Sequence, residues 1–476
     1  MKAPLLEELF KYHDEKNLIL SMPGNKCGKG FEKDEMGRIF MERMGRLDIT
    51  EVDPLDNLHY PEGVIDEAQK LLAQTYNSQK AYFLVNGISG GNLSCIFESF
   101  NEGDEIIVER NCHKSIYNAI VLRKLKAVYI EPVIDDELGI FLPPDDKNIY
   151  AALEKSSNPK GIILTYPNYF GITFNIKNVI NDMKNRGLKI ILDSAHGAHF
   201  GMSRELPESM TSIADYVVLS AHKTLPALTQ GAFVTVNDIN DKFEFYLRTF
   251  MTTSPSYLIM ASLDYSRYYM DSYGKEDYKR LIYMAELWKD KINDIGKVKI
   301  LSQRDIYIHG DYDIDKTRYL MILPHGYSGH KLLNYLRKKK IQSEMSFSQG
   351  VVLILSPFNT EEEFKKIYEA VYDMDLEKLE QKYDLYKNCF EKEIPKKALE
   401  PYEAFEAEYE TVDIDKCEGR ISKEFIIPYP PGIPIICPGE IISKKNLNII
   451  KDYMINEKDV IGIDKENMKV KVISNV

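Results

Sequence analysis

The chain has 476 residues, of which 44% are hydrophobic and 28% charged, and its formal net charge is −12. That length corresponds to about two to three packing units. No apolar run approaches the ~18 residues of a membrane-spanning helix, the composition is too apolar for a disordered chain, and the acidic balance argues against nucleic acid as a partner.

The opening stretch, MKAPLLEELFKYHDEKN, carries acidic residues early and has no apolar segment ending in a small-residue cleavage site. It does not read as a signal peptide, and the cytoplasm is the expected location. The six cysteines (Cys27, Cys95, Cys112, Cys389, Cys417 and Cys437) are scattered, without CxxC or zinc-ligand spacing, so reduced, mostly buried thiols and no metal are expected.

A helical pattern over Glu67–Asn77 leads to the strand AYFLV, then to a small-residue loop from Asn86 to Asn92, then to a helix, LSCIFESF. Strand EIIVE follows, with a polar loop from Arg110 to Ser115, another helix, and strand AVYIEPV. GIILTYP, a helix around Val179–Arg186, LKIILD ending at Asp193 and DYVVLS ending at Ser220 continue the alternation. Short β-rich runs separated by helices predict a mainly parallel α/β sheet covered on both faces. Its ligand site should lie beyond the carboxyl ends of the strands. After Asp264 the pattern turns helical to about Lys291, a connector between domains. RYLMIL, GHKLLNYLRKKK, VVLILS and EEEFKKIYEAVYDM then form a compact α+β unit. A charged helical stretch, LEKLEQKYDLYKN, leads to a rigid segment rich in proline, from Pro428 to Pro434. The domain reading is an amino-terminal arm (1–30), a large domain (31–265), a connecting helix (266–300) and a smaller carboxy-terminal α+β region (301–476).

Four places put unusual polar residues at the ends of apolar runs. At Asn86–Asn92, small residues leave backbone N–H groups free just before a helix, a setting suited to phosphate; a plain tight turn is the alternative. His113 follows EIIVE, where an imidazole can stack on a flat heterocycle or simply cap the next helix. Asp193 ends a buried strand and needs a cationic or protonated partner, or caps a helix; His196 and His199, in the same stretch, lack the glutamate motif of a metal site. Lys223 follows Ser220 and His222 among small and apolar residues, where burial would free its amine to attack a carbonyl; a surface lysine starting a helix is the alternative. Together these parts read as a pyridoxal phosphate site. Lys223 would bind the aldehyde, Asp193 would hold a proton on the pyridine nitrogen, and Ser89 and Ser220 with helix-end amides would hold the phosphate. A Ser/His/Asp hydrolase built from Ser220, His222 and Asp193 lacks the GxSxG elbow.

The stretches PGNKCGKG, LDNLHYPEGVIDEAQ, NGISGGN, RNCHKS, TYPNYFGI, DSAHGAHFG, SAHKTLPALTQGA, TTSPSYLIMASLD and YPPGIPIICPGE span residues 23 to 440. In that order they resemble the bacterial ornithine/lysine/arginine decarboxylases of the aspartate-aminotransferase fold, in the short form without an amino-terminal receiver-like domain. The resemblance implies a mainly parallel seven-stranded sheet and pyridoxal phosphate on Lys223. It implies Asp193 at the pyridinium, His113 stacked on the ring, and Ser89, Gly90, Ser220 and His222 around the phosphate. Ala195 and His196 would line the other ring face. Thr252 would reach the phosphate of a neighbouring subunit, making a homodimer the minimum unit. Ile88 stands where a threonine is usual and Asn25 where a histidine is usual, so Asn25 and Lys26 are expected near the substrate at the mouth of the site. Glu440 is expected to pair with the substrate's distal cation. The implied reaction is α-decarboxylation of a basic L-amino acid, arginine or lysine or else ornithine, in polyamine metabolism, with Lys223 or His222 returning the proton to Cα. An aminotransferase or lyase on the same fold, or a cofactor-binding protein without turnover, are the alternatives. A transaminase normally clamps the α-carboxylate with an arginine fork, and no arginine here sits in such a motif.

Overall fold

The computed structural model describes residues 2–306, 310–381, 394–429, 434–455, 459–464 and 466–474. Seven strands form the large sheet: β1 (Lys80–Leu84), β2 (Glu105–Glu109), β3 (Lys126–Ile130), β4 (Pro159–Thr165), β5 (Lys189–Asp193), β6 (Tyr216–Leu219) and β7 (Ala232–Val236). Their spatial order is β1-β7-β6-β5-β4-β2-β3. Parallel pairing links β3, β2, β4, β5 and β6, whereas β7 runs antiparallel to both β6 and β1. Every strand but β7 therefore delivers its carboxyl end to the same edge. The apolar runs read as strands because both faces are covered: all of β6 and β7, and Ile190–Asp193 of β5, are buried. β7 itself was not anticipated, since its first residue, Ala232, is the last of the motif SAHKTLPALTQGA.

Helix α1 (Pro4–Asp14) begins the chain and buries none of its residues. Helix α2 (Gly87–Ser99) starts six residues earlier than the sequence pattern suggests, so the small-residue stretch is a helical turn rather than a loop. The reason is packing: a Cβ at Gly91 would lie 2.7 Å from Leu84 Cδ1 and 2.8 Å from Val218 Cγ1, so a glycine lets the helix lie directly on the sheet. Helix α3 (Lys114–Leu122) follows β2. The connector is two helices, α4 (Tyr257–Tyr269) and α5 (Lys275–Asn293), joined by a π-helical turn over Met270–Gly274.

A second sheet, antiparallel, has the order β8 (Lys299–Ile300), β9 (Arg318–Ile322), β11 (Gly350–Ile354), β10 (Met345–Phe347). Leu18–Leu20 pairs in parallel with Ile341–Ser343 beside it. The following segment runs back over the turn that carries Lys223. Gly24 N–H donates to His222 O at 2.7 Å, and a Cβ on Gly24 would sit 2.6 Å from Leu225 N. The carboxy-terminal part has a core of its own around Ile414, Ile426, Ile436, Ile450 and Val472. Pro430, Pro431, Gly432 and Ile433 of the proline-rich segment lie outside the described residues, as does most of the charged helical stretch after Gln381. No helix among the described residues is long and apolar enough to cross a membrane.

Candidate active site

The segments that follow β1, β2, β5 and β6 bring their polar side chains together. β6 ends in Ser220 and a single helical turn, Ala221–Thr224, which carries Lys223. The Lys223 amine lies 3.0 Å from His196 Nε2. Burial lowers its pKa to about 8, with Arg318 pushing the same way and Asp193 and Glu344 opposing. Burial also holds His196 well below the usual imidazole range, and the charges of Lys223 and Arg318 add to the effect.

Asp193, at the end of β5, is 1% exposed. Its Oδ2 accepts from Asn92 Nδ2 at 3.0 Å and its Oδ1 from the Ala195 amide at 3.2 Å. The same Asn92 amide donates to Ser115 Oγ at 2.9 Å, and Ser115 Oγ lies 2.8 Å from His113 Nδ1. His113 also caps α3 by accepting from the Ser115 amide. Capping and stacking are therefore compatible, because the cap uses only Nδ1 and leaves the ring face free. Burial holds the His113 pKa below the ordinary value. Asn92 and Ser115 were not singled out as site residues. They stand at the last positions of NGISGGN and RNCHKS, and only the docking of α2 and α3 on the sheet joins them.

The site fits pyridoxal phosphate by what it leaves unsatisfied. Asn86 gives α2 no side-chain cap, so the first-turn amides of α2, which carries Ser89 and Gly90, are available to an anion. Ser220 Oγ is buried without a hydrogen-bond partner. Ala195 is buried beside His196, Ser89 is exposed, and Ile88 points into the core. His222 Nδ1 donates to Gly231 O at 2.9 Å. Thr252 is exposed on the outer surface, its carbonyl accepting from His59 Nε2 at 2.9 Å.

Three expectations are corrected. Glu440 is fully buried, and its two oxygens meet Arg110 Nη1 at 2.5 Å and Nη2 at 2.8 Å. Its charge is therefore already neutralised and it is not presented to a substrate. Asn25 is turned inward, donating to Ala227 O at 2.8 Å and accepting from the Gly28 amide at 3.0 Å. Lys26 is 2% exposed, and its amine donates to Ser21 O at 2.6 Å and Ile354 O at 3.0 Å. Burial brings the Lys26 pKa down to about 7. Asn25 ties the amino-terminal segment to the loop after the Lys223 turn and Lys26 ties it to β11, so neither lines a mouth.

The second sheet supplies two residues that the sequence did not reveal. Arg318, the first residue of β9, is fully buried against His196. Glu344, just before β10, is half-buried and accepts from Tyr169 Oη at 2.5 Å and from the Met22 amide at 2.9 Å. Neither stands in a motif, because it is the packing of the second sheet beside the first that brings them in.

Two family models match the chain: Orn/Lys/Arg decarboxylase, major domain, over residues 3–317, and its C-terminal domain over residues 383–461. The arginine decarboxylase of Bacillus subtilis (strain 168) is 31% identical over 458 residues, covering 94% of this chain and 93% of the relative. That of Bacillus anthracis is 31% identical over 469 residues, covering 94% and 92%. Among solved structures, the constitutive lysine decarboxylase of E. coli superposes with a TM-score of 0.75 at 19% identity, covering 99% of this chain and 82% of that one. These matches agree with the groups gathered around Lys223: the chain belongs to the Orn/Lys/Arg decarboxylase family and is an enzyme that decarboxylates a basic amino acid.

Proposed function

We propose that the substrate is L-arginine, that the cofactor sits on Lys223, and that Glu344 meets the distal guanidinium. The observation that carries the site is the buried Lys223 amine, which stands among Asp193, His113 and His196 and has its pKa lowered to about 8. When bound, pyridoxal phosphate supplies an electron sink for the pair left behind as carbon dioxide departs. The first-turn amides of α2 and the Ser220 hydroxyl hold the phosphate, and Asp193, backed by Asn92, keeps a proton on the ring nitrogen. His113 covers one ring face. Four relatives at 30–32% identity are named arginine decarboxylases, and a fifth at 32% carries no activity in its name, whereas the lysine decarboxylase of Hafnia alvei is 24% identical.

Arg318 speaks against transamination. Its side chain is fully buried, with N–H groups turned on His196, the Tyr169 carbonyl and Asp315. It is committed to the protein and does not offer a fork to a substrate carboxylate. For the proton returned to Cα, Lys223 is the better source than His222. A carbonyl only accepts, so His222 Nδ1 carries the hydrogen and its neutral ring presents a lone pair at Nε2. Burial favours that neutral ring.

Glu344 is the carboxylate on the second sheet whose charge reaches Lys223. A charge-assisted contact with a guanidinium suits it. Exposed Thr252 and the apolar residues of α1, Leu5, Leu9 and Phe10, which are 75%, 56% and 60% exposed, support a homodimer. The amine that decarboxylation of a basic amino acid yields supports a role in polyamine biosynthesis. Carbon dioxide release by purified protein from L-arginine, L-lysine and L-ornithine tests the substrate. Arginine should lead, and Glu344→Gln should raise its KM more than it lowers kcat. Faster turnover of lysine than of arginine, or an unchanged KM in Glu344→Gln, refutes the respective part.

A further inference from the structure

We infer that Arg318 is a positioning residue for Lys223: acting through His196, it sets which imidazole nitrogen bears the hydrogen and so favours the free amine that attacks the cofactor's aldehyde. This rests on the reading of Lys223 as the cofactor lysine. A guanidinium has donors and no acceptor, and Arg318 Nη2 lies 2.9 Å from His196 Nδ1. Nδ1 must therefore present its lone pair, which places the hydrogen of the neutral ring on Nε2. A doubly protonated ring is excluded on the same ground, because Nδ1–H would face an N–H. Nε2 in turn lies 3.0 Å from Lys223 Nζ. An ammonium has three donors and no acceptor, so it would meet Nε2–H donor to donor, whereas a free amine accepts that hydrogen.

The fold keeps Arg318 in place from several sides. Nη1 donates to Tyr169 O at 3.3 Å, and Nε lies 3.4 Å from Asp315 Oδ2. Asp315 is itself anchored, accepting from the Thr317 amide at 2.9 Å and hydroxyl at 2.7 Å, with His199 Nε2 at 3.1 Å. Gly171, at φ +79°, makes room for the side chain: a Cβ there would lie 2.3 Å from Arg318 Cδ. Tyr169 packs edge-on against the His196 ring at 4.9 Å between centroids, limiting its rotation. The charges that bear on Lys223 come from several elements. Asp193 at the end of β5 and Glu344 before β10 favour the ammonium, and Arg318 on β9 opposes them. His113 at the start of α3 and His222 on the lysine's own turn are further titratable groups that feel its charge. Two carboxylates alone would hold the lysine charged; burial opposes them first, and Arg318 adds to it.

The test follows the visible absorbance that develops when pyridoxal phosphate is added to the apoprotein, as a rate against pH. It compares the wild type with Arg318→Met, His196→Gln and the double variant. In Arg318→Met the midpoint should rise by about one pH unit, slowing capture near neutral pH about tenfold. The His196→Gln amide donates to the lysine without outside help, so adding Arg318→Met to it should shift the midpoint by less than half as much. An equal shift in both backgrounds would show that Arg318 acts by charge through space alone and would overturn the inference, as would no shift at all. Nitrogen-15 NMR of the wild type, with the His196 resonance identified by its loss in His196→Gln, keeps the idea testable if the arginine variant does not fold. A hydrogen on Nε2 at neutral pH is expected, and one on Nδ1 refutes the inference. Absorbance that still develops in Lys223→Ala would instead sink the lysine assignment.

Discussion

Two buried arginine–carboxylate pairs divide the work of this molecule. Arg110 and Glu440 form a closed, two-pronged pair in which the arginine also donates to Ile435 O and stacks over Tyr129 at 5.0 Å, and Glu440 accepts from the Cys437 amide at 2.7 Å. It joins the loop after β2 to the carboxy-terminal region. Arg318 and Asp315 form an open pair: their contact is 3.4 Å, Arg318 Nε is left without a hydrogen bond, and the guanidinium turns instead on His196. A pair whose donors and acceptors meet each other has nothing left to offer a ligand. One left incomplete can pass its influence on to a neighbour.

The largest effect that separates the two regions is at the lysine behind the open pair. Lys223→Ala should lower turnover about a thousandfold or more in a decarboxylation assay, while chemical unfolding stays close to that of the apo wild type. Loss of the closed pair should do the reverse. Glu440→Gln leaves a buried guanidinium without its counter-charge and should destabilise the fold by about 3–5 kcal/mol in urea unfolding, with the substrate KM of the folded fraction unchanged. A raised KM at full stability would restore Glu440 as a substrate ligand.

The open pair should show itself in acid. Burial acts to raise the Asp315 pKa, but His199 and Arg318 outweigh it and hold it near 2, against about 3.9 in an unfolded chain. A carboxyl depressed on folding adds stability that is complete above the unfolded value and lost as the pH falls through the folded one. Asp315 thus contributes about 2.6 kcal/mol that disappears between roughly pH 5 and 1. Asp315→Asn should flatten that part of a stability–pH curve. The smallest effect concerns Ser220. Ser220→Ala removes a buried hydroxyl without a partner, so apo stability should hold or rise slightly. Cofactor affinity, read by absorbance titration, should fall about tenfold, the worth of one hydrogen bond to an anion.

Several features could be read from residues in order along the chain. The alternation of apolar runs with helices implied the mainly parallel sheet, and polar residues at strand ends marked Asp193, Ser220 and Lys223, because a parallel sheet sends its carboxyl ends to one edge whatever its helices do. The motif RNCHKS placed His113 at such an end. The extent of α2 was hidden because Gly90 and Gly91 read as a loop, whereas a glycine is what lets that helix touch Leu84 and Val218.

The tertiary structure decided what depends on residues far apart in number. Arg318 and His196 are 122 positions apart and Tyr169 and Glu344 are 175 apart, so no local pattern links either pair. Glu440 could be read only as an acidic residue in a motif, and its closure on Arg110, 330 positions away, emerges when the carboxy-terminal region docks. Local sequence sets strand, turn and residue type, since backbone preference and burial act over a few residues. Whether a buried charge finds a protein partner or waits for a ligand depends on which distant element packs against it.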